Sequence, residues 1–220
     1  MIKEDEIFIL TMLTKTGRFY NVGRDSCLMS EKNELLDFAA RLHSHLSPGV
    51  ALGLRMAEIA YNKLGVNFRG KGLVGVAETS MCIPDALQVV AGTTPGNRNL
   101  IVKDFGKLAL SLVRFDTKEG YRVSIKKEAA EASELIRKFL YRLGKLNRDE
   151  EVELSNQFLK LGDEFFDVKK IKLSIPVGGK KEPIIECEIC GELQPADYIA
   201  EKDGKKVCMM CGGDVYFEVL

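Results

Sequence analysis

Near its C-terminal end the chain carries Cys187-Glu-Ile-Cys190-Gly191 and Cys208-Met-Met-Cys211-Gly212, two CxxC pairs separated by seventeen residues. No other feature restricts the fold so strongly. A CxxC turn aims two sulfurs at one point, and the glycine after it admits the positive φ that brings backbone N–H groups to the thiolates. Two such knuckles close a tetrahedron, so Cys187, Cys190, Cys208 and Cys211 are expected to bind a structural zinc ion. A redox or disulfide pair would need one CxxC, whereas two matched pairs within 25 residues suit a metal. The surrounding segment has too few apolar residues to fold unaided, which makes the metal its expected source of folding energy.

The remaining chain is long enough for a substantial core. With 220 residues, 45% of them apolar and 29% charged, it accommodates one core domain and a small appendage. Thirty-two basic residues balance thirty-two acidic ones, so no global field holds the protein on nucleic acid or an anionic membrane. Four thiolates with one Zn²⁺ add a net −2. The first residues, Met-Ile-Lys-Glu-Asp-Glu, are acidic where a signal peptide is basic, and no apolar run reaches the roughly 18 residues of a membrane span. The expectation is a cytoplasmic protein whose six cysteines are ligands or free thiols.

Periodicity supplies a coarse map. Leu35, Leu36, Phe38, Ala39 and Leu42 lie on one helical stripe within Asn33 to His43, and a second helix runs from Val50 to Leu64 and stops at Gly65. Gly72 to Glu78 reads as a buried strand. Pro84 opens a helix that ends before Gly92. Three strands are expected at Leu100 to Lys103, Lys107 to Phe115 and Tyr121 to Lys126, then helices at Lys127 to Arg142 and Asp149 to Phe165, then a strand from Val168 to Ile175. Without a regular βαβ repeat, this mixture predicts an α+β core with a mixed sheet and flanking helices. The expected boundaries are a core over residues 1–168, a strand and linker over 169–185, and a four-cysteine finger over 186–220 whose last residues alternate like a strand.

Two features of the core invite a chemical reading. His43 and His45 are the only histidines of the chain and fall at the break between two helices. In a regular helix residues i and i+2 point apart, so both reach one metal only where the helix has broken; turn histidines satisfied by the backbone are the plain alternative. Cys82 stands just before Pro84 near a helix start, where the positive dipole end favours a thiolate. A small buried thiol is its plain alternative. Gly70-Lys-Gly72 and Thr93-Thr-Pro-Gly96-Asn-Arg98 match neither GxGxxG nor GxxxxGK[ST] and read as ordinary turns. Lys103 and Lys107 place two amines beside the core site or at a solvated strand end.

These residues also carry a family resemblance. Leu42-His-Ser-His-Leu-Ser-Pro-Gly49, Ala77-Glu-Thr-Ser-Met-Cys82-Ile-Pro-Asp85, Ala91-Gly-Thr-Thr94, Asn99-Leu-Ile101 and Lys103-Asp-Phe-Gly-Lys107 resemble, in order, the E-subunit family of formylmethanofuran dehydrogenase. The resemblance implies an α+β core, often dimeric, with a metal or active site made from the His-x-His-Leu-Cys-Pro-Gly turn and the cysteine before the next helix. Those positions here are His43, His45, Ser47 and Cys82. It also implies a finger of treble-clef type, although a strand-like tail after Cys211 suits a zinc ribbon as well. Three positions depart from the family pattern: Ser47 and Thr93 replace cysteines, and Phe105 replaces a tyrosine. With a serine in place of a thiolate, His43, His45 and Cys82 are left to hold any second divalent metal, an arrangement that resembles a catalytic site of three protein ligands plus water.

The family name implies a link to methanogenesis-type one-carbon metabolism, as a metal-dependent enzyme or an accessory subunit of formylmethanofuran dehydrogenase. On the catalytic reading Cys82 and His45 act at the core site, with Lys103 as a nearby cation and the metal as Lewis acid. The competing expectation is a non-catalytic adaptor that docks a protein partner through its finger. Lys202, Lys205 and Lys206 are offset by Glu188, Glu192, Glu201 and Asp203, so nucleic acid is not the expected ligand.

Overall fold

The computed structural model describes residues 28–179 and 181–218, side chains from residue 34 onward. Cys27 and the acidic start of the chain lie outside the described residues. The chain divides between Val177 and Gly178 into two compact units.

In the first unit, helix α1 (Leu28–Leu42) and helix α2 (Pro48–Leu64) precede strand β1 (Leu73–Ala77), helix α3 (Ile83–Ala91) and strand β2 (Leu100–Val102). Strands β3 (Ala109–Arg114) and β4 (Glu119–Ile125) follow, then helices α4 (Glu134–Leu140) and α5 (Arg148–Lys160), and strand β5 (Phe166–Lys172). The sheet order is β2-β1-β3-β4-β5. Only β1 and β2 run parallel, because α3 returns the chain across the sheet between them; the other neighbours are antiparallel. This is the mixed α+β sheet expected from the sequence.

Helix α2 is the centre of the core. It packs against β3, β4, α3 and α5, and nearly every residue from Pro48 to Tyr61 is buried, which explains why its apolar residues do not confine themselves to one stripe. Gly53 lets α3 come close: a Cβ there would lie 2.7 Å from the Ala86 methyl carbon. Gly65, at φ 63°, closes α2 in the left-handed conformation that only glycine adopts without cost.

Two expected helices are shorter than their periodicity suggests. Residues 127–142 split into a 3-10 turn, Lys127–Glu131, and α4, because Ser133 is extended and its hydroxyl caps the new helix at the Ile136 N–H. Helix α5 ends at Lys160 rather than Phe165. Leu161 is extended, and its carbonyl accepts a hydrogen bond from Arg55 Nε at 2.9 Å instead of continuing the helix. Strand β5 pairs along its whole length with β4, so the core sheet extends to Lys172 and the division of the chain falls later than residue 168.

The second unit contains two hairpins. Strands β6 (Ile184–Glu186) and β7 (Leu193–Pro195) flank the first knuckle, while β8 (Ile199–Lys202) and β9 (Lys205–Cys208) lead to the second, which runs into a single helical turn, α6 (Met209–Gly212). The strand expected after Cys211 is not formed among the described residues, 213–218 having no strand partner. A knuckle, a hairpin and a helix beginning at the second knuckle follow the treble-clef alternative rather than the ribbon.

Candidate functional site

The four finger cysteines converge. Their sulfurs all lie within 4.8 Å of one another, and Cys190 and Cys208 are 3.9 Å apart, about the sulfur–sulfur edge of a tetrahedral Zn(Cys)4 site with ~2.3 Å bonds. Backbone N–H groups approach the sulfurs as the knuckle geometry requires: Ile189 and Cys208 donate to Cys187 Sγ at 3.5 and 3.3 Å, and Cys211 donates to Cys208 Sγ at 3.3 Å. Hydrogen bonds from the Cys190 and Cys208 amides lower the Cys187 pKa to about 6, so this thiol is prepared to ionise. Hydrogen bonding to Cys208 and burial push Cys211 up to about 12, the mark of a thiol sharing its surroundings with other thiols until a cation takes their protons' place. Among the described residues of this unit only Val207, Cys187 and Cys208 form a buried cluster, so a metal held by the four sulfurs would be its main cohesive element. The four cysteines therefore suit a metal such as zinc.

In the core, the loop after β1 and the break between α1 and α2 meet. Cys82 occupies φ 47° and ψ −46°, and the Ile83 N–H turns back to the Met81 carbonyl, a three-residue γ-turn that few non-glycine residues adopt. Such conformations cost of order 1–3 kcal/mol and cluster at functional sites. Pro84 sits in the first turn of α3, as its sequence position indicates. From the other side come His43, just past α1, and Ser47, the residue that precedes α2. The Ser47 hydroxyl makes no cap to α2; it lies 3.5 Å from Cys82 Sγ. Gly49 permits this approach, since a Cβ there would fall 2.8 Å from the same sulfur.

His43 links Cys82 to a carboxylate. Its Nε2 is 3.7 Å from Cys82 Sγ, and its Nδ1 is 2.7 Å from Asp85 Oδ2. An ionised carboxylate only accepts, so Nδ1 donates to it, and in the neutral imidazole Nε2 then turns its lone pair toward the thiol. Asp85 is itself held, its Oδ1 accepting from Gln88 Nε2 at 3.2 Å one turn along α3. Asp85 was not among the residues expected at the site. Its signal was present in Cys82-Ile-Pro-Asp85, an acid in the first turn of the helix that Cys82 opens, but helix-start acids are common for dipole reasons alone.

The other expected residues take different places. His45 is exposed, its ring tilted by 38° against that of His43 with 4.7 Å between centroids, and among the described residues only the finger cysteines bring three or more ligand atoms within 4.8 Å. Lys103 is exposed beyond β2, its backbone N–H bonded to Ala77 O. Thr93 is fully buried, with its hydroxyl 3.5 Å from the Leu87 carbonyl, and Phe105 is 65% exposed. The loop base is braced by Glu78, which pairs with Arg122 through two hydrogen bonds of 2.6 and 2.9 Å; these bonds hold its carboxyl below the usual range. Its carbonyl accepts from the N–H groups of Phe105 and Lys107.

An α+β core with a thiol–imidazole–carboxylate cluster, joined to a four-cysteine finger, defines a class that comparison with known proteins identifies. The model of the FmdE family, described as "FmdE, Molybdenum formylmethanofuran dehydrogenase operon", matches residues 42–173, more than half of the chain. This chain belongs to that family. A crystal structure of an FmdE-like protein from Syntrophus aciditrophicus, named for the tungsten formylmethanofuran dehydrogenase, superposes with a TM-score of 0.68 and 27% identity, over 84% of this chain and 95% of that one. A probable S-adenosyl-L-methionine-binding protein of Archaeoglobus fulgidus is 34% identical over an alignment of 209 positions that covers 85% of this chain and 55% of the relative. The chain thus spans about half the length of that relative.

Proposed function

We propose that this chain is a zinc-containing cytoplasmic protein of one-carbon metabolism whose working site is the Cys82–His43 pair of the core. The zinc is the structural ion of Cys187, Cys190, Cys208 and Cys211. One observation carries the reading: a thiol held on a γ-turn, with an imidazole 3.7 Å away whose far nitrogen is fixed by a carboxylate. Three elements of the core cooperate to bring these groups together, which packing alone does not require. The family description supports the one-carbon setting, because the operon it names serves a dehydrogenase of a formyl compound. The ligand in the archaeal relative's name is not carried over, since nearly half of that protein lies outside the match.

Two further readings have an observation each. The Cys82 Sγ to His43 Nε2 separation also suits two ligands of one tetrahedral zinc ion, for which bonds of ~2.3 and ~2.0 Å place S and N about 3.5 Å apart; Asp85 would then be the carboxylate behind the histidine. His45 would have to swing in to complete the set. An adaptor role finds support in the finger, where Ile184, Ile189, Leu193 and Tyr216 are all more than half exposed.

Metal counting on the full chain, together with alkylation of Cys82, decides among these readings. Protein purified without added metal is expected to hold one zinc per chain, lost on Cys190→Ser and kept on Cys82→Ala, and Cys82 is expected to be alkylated at a rate that falls in His43→Ala. Two metals per chain, one of them lost with Cys82, would establish the core metal. An inert Cys82 with a single metal would leave the adaptor.

A further inference from the structure

We propose that Cys82, His43 and Asp85 act as nucleophile, base and positioning residue in the transfer of a small acyl group, formyl being the smallest, through a thioester on Cys82. The inference rests on the reading that Cys82–His43 is the working site and adds the reaction that the site performs.

The three groups stand in the order such chemistry requires. Asp85 Oδ2 accepts from His43 Nδ1 at 2.7 Å, which selects the tautomer with a free lone pair on Nε2. That lone pair faces Cys82 Sγ at 3.7 Å, a distance typical of a nucleophile and base that close further around a substrate. Gln88 holds the second oxygen of Asp85, so the carboxylate has little freedom to leave the imidazole. On its other side the sulfur is met by the Ser47 hydroxyl at 3.5 Å, a donor for negative charge on the sulfur. Neither feature serves the fold. The strained Cys82 backbone costs stability and the Ser47 hydroxyl gives α2 no side-chain cap, and what they secure is the position of one sulfur and one hydroxyl. The arrangement also needs no third metal ligand, which the described side chains do not supply.

The steps balance without a redox partner. The thiol proton moves to His43 Nε2 as Sγ attacks the carbonyl carbon of R–CO–X. The C–X bond then breaks, X takes the proton from Nε2, and the acyl group remains on Sγ as a thioester. An acceptor, water or an amine, next loses its proton to Nε2 and attacks the thioester carbon. The C–S bond breaks and the proton returns to sulfur. Gly49 limits the acyl group, because the α2 backbone lies directly against the thiol and leaves that side closed to a bulky substituent.

The test uses the full-length, zinc-loaded chain and p-nitrophenyl acetate as a small activated acyl donor. A burst of p-nitrophenolate is expected, with the acyl adduct mapped by peptide mass analysis to Cys82 after an acid quench. Cys82→Ala is expected to abolish the burst, and His43→Ala to slow it about 10²- to 10⁴-fold. Asp85→Asn is expected to slow it and alter its pH profile, with partial recovery in Asp85→Glu, which a purely structural aspartate would not produce. Circular dichroism and melting of each variant monitor the fold. An adduct on another residue, or a Cys82 burst indifferent to both His43→Ala and Asp85→Asn, overturns the triad. Cys82 that is alkylated in a His43-dependent manner but never acylated also overturns it, while leaving the working-site reading intact. A second metal lost with Cys82 refutes it in favour of metal chemistry.

Discussion

Gly49→Ala isolates the placement of the thiol from the stability of the fold. A Cβ at Gly49 falls 2.8 Å from Cys82 Sγ and 3.2 Å from its Cβ, whereas carbon contacts are optimal at about 3.5–4.0 Å. The sulfur must therefore retreat by roughly 0.7 Å or rotate off its rotamer, at a cost of about 0.5–1.5 kcal/mol, within an overpacking range of about 1–3 kcal/mol. Alanine is the better helix former by up to about 1 kcal/mol, and Gly49 lies in the first turn of α2, so the two effects oppose each other. The net loss of stability is expected to be about 0–2 kcal/mol. The site has no such compensation: displacing the sulfur from its place beside His43 by most of an ångström is expected to reduce Cys82 acylation on the order of 10²-fold. Urea unfolding measures the first quantity, and single-turnover acylation or timed alkylation of Cys82 measures the second. Wild-type reactivity in a folded Gly49→Ala protein would refute the claim that α2 positions the thiol, and a stability loss well beyond 3 kcal/mol would show that Gly49 serves packing first.

Three more perturbations probe the rest of the molecule. Cys190→Ser or Cys211→Ser is expected to release the zinc and expose residues 178–218 to protease while the first unit keeps its melting transition, because the ion rather than the Val207 cluster holds the finger; survival of the finger after metal loss, read by limited proteolysis, would contradict this. Arg122→Met strands the part-buried Glu78 carboxylate and is expected to cost about 1–3 kcal/mol at neutral pH in urea melts. Because Arg122 lowers the folded pKa of Glu78, the wild-type pair stabilises above the ordinary carboxylate pKa and loses that contribution as pH falls through the lowered value; the variant is expected to reverse this dependence, gaining stability on acidification as Glu78 becomes neutral. Ser47→Cys places a second thiol beside Cys82, where Ser47 Oγ now lies 3.5 Å from Sγ, and is expected to raise the metal count of the full chain from one to two and to suppress acylation; an unchanged count would show that the core residues do not converge on a metal.

Much of this protein was legible in the order of its residues. The spacing of Cys187, Cys190, Cys208 and Cys211 is sufficient for a four-sulfur site, because CxxC geometry is local and requires only that two knuckles meet. Gly65 and Gly92 end their helices in the left-handed conformation, and Pro84 begins one, since these residues act through backbone sterics that no distant contact alters. The extents of α4 and α5 were not readable, since they depend on the Ser133 cap and on Arg55 reaching the Leu161 carbonyl from more than a hundred residues away in the chain. The core site divides in the same way. Cys82 and the histidines announce themselves by type, but which histidine meets the thiol is decided by packing: α2 and α3 close together over Gly49 and Gly53, and His43, not His45, lies between Cys82 and Asp85. Local sequence thus determined which groups were available, and the tertiary structure alone chose the partners, because hydrogen-bond distance between residues 39 and 42 positions apart is a property of helix packing and leaves no periodic trace in the chain.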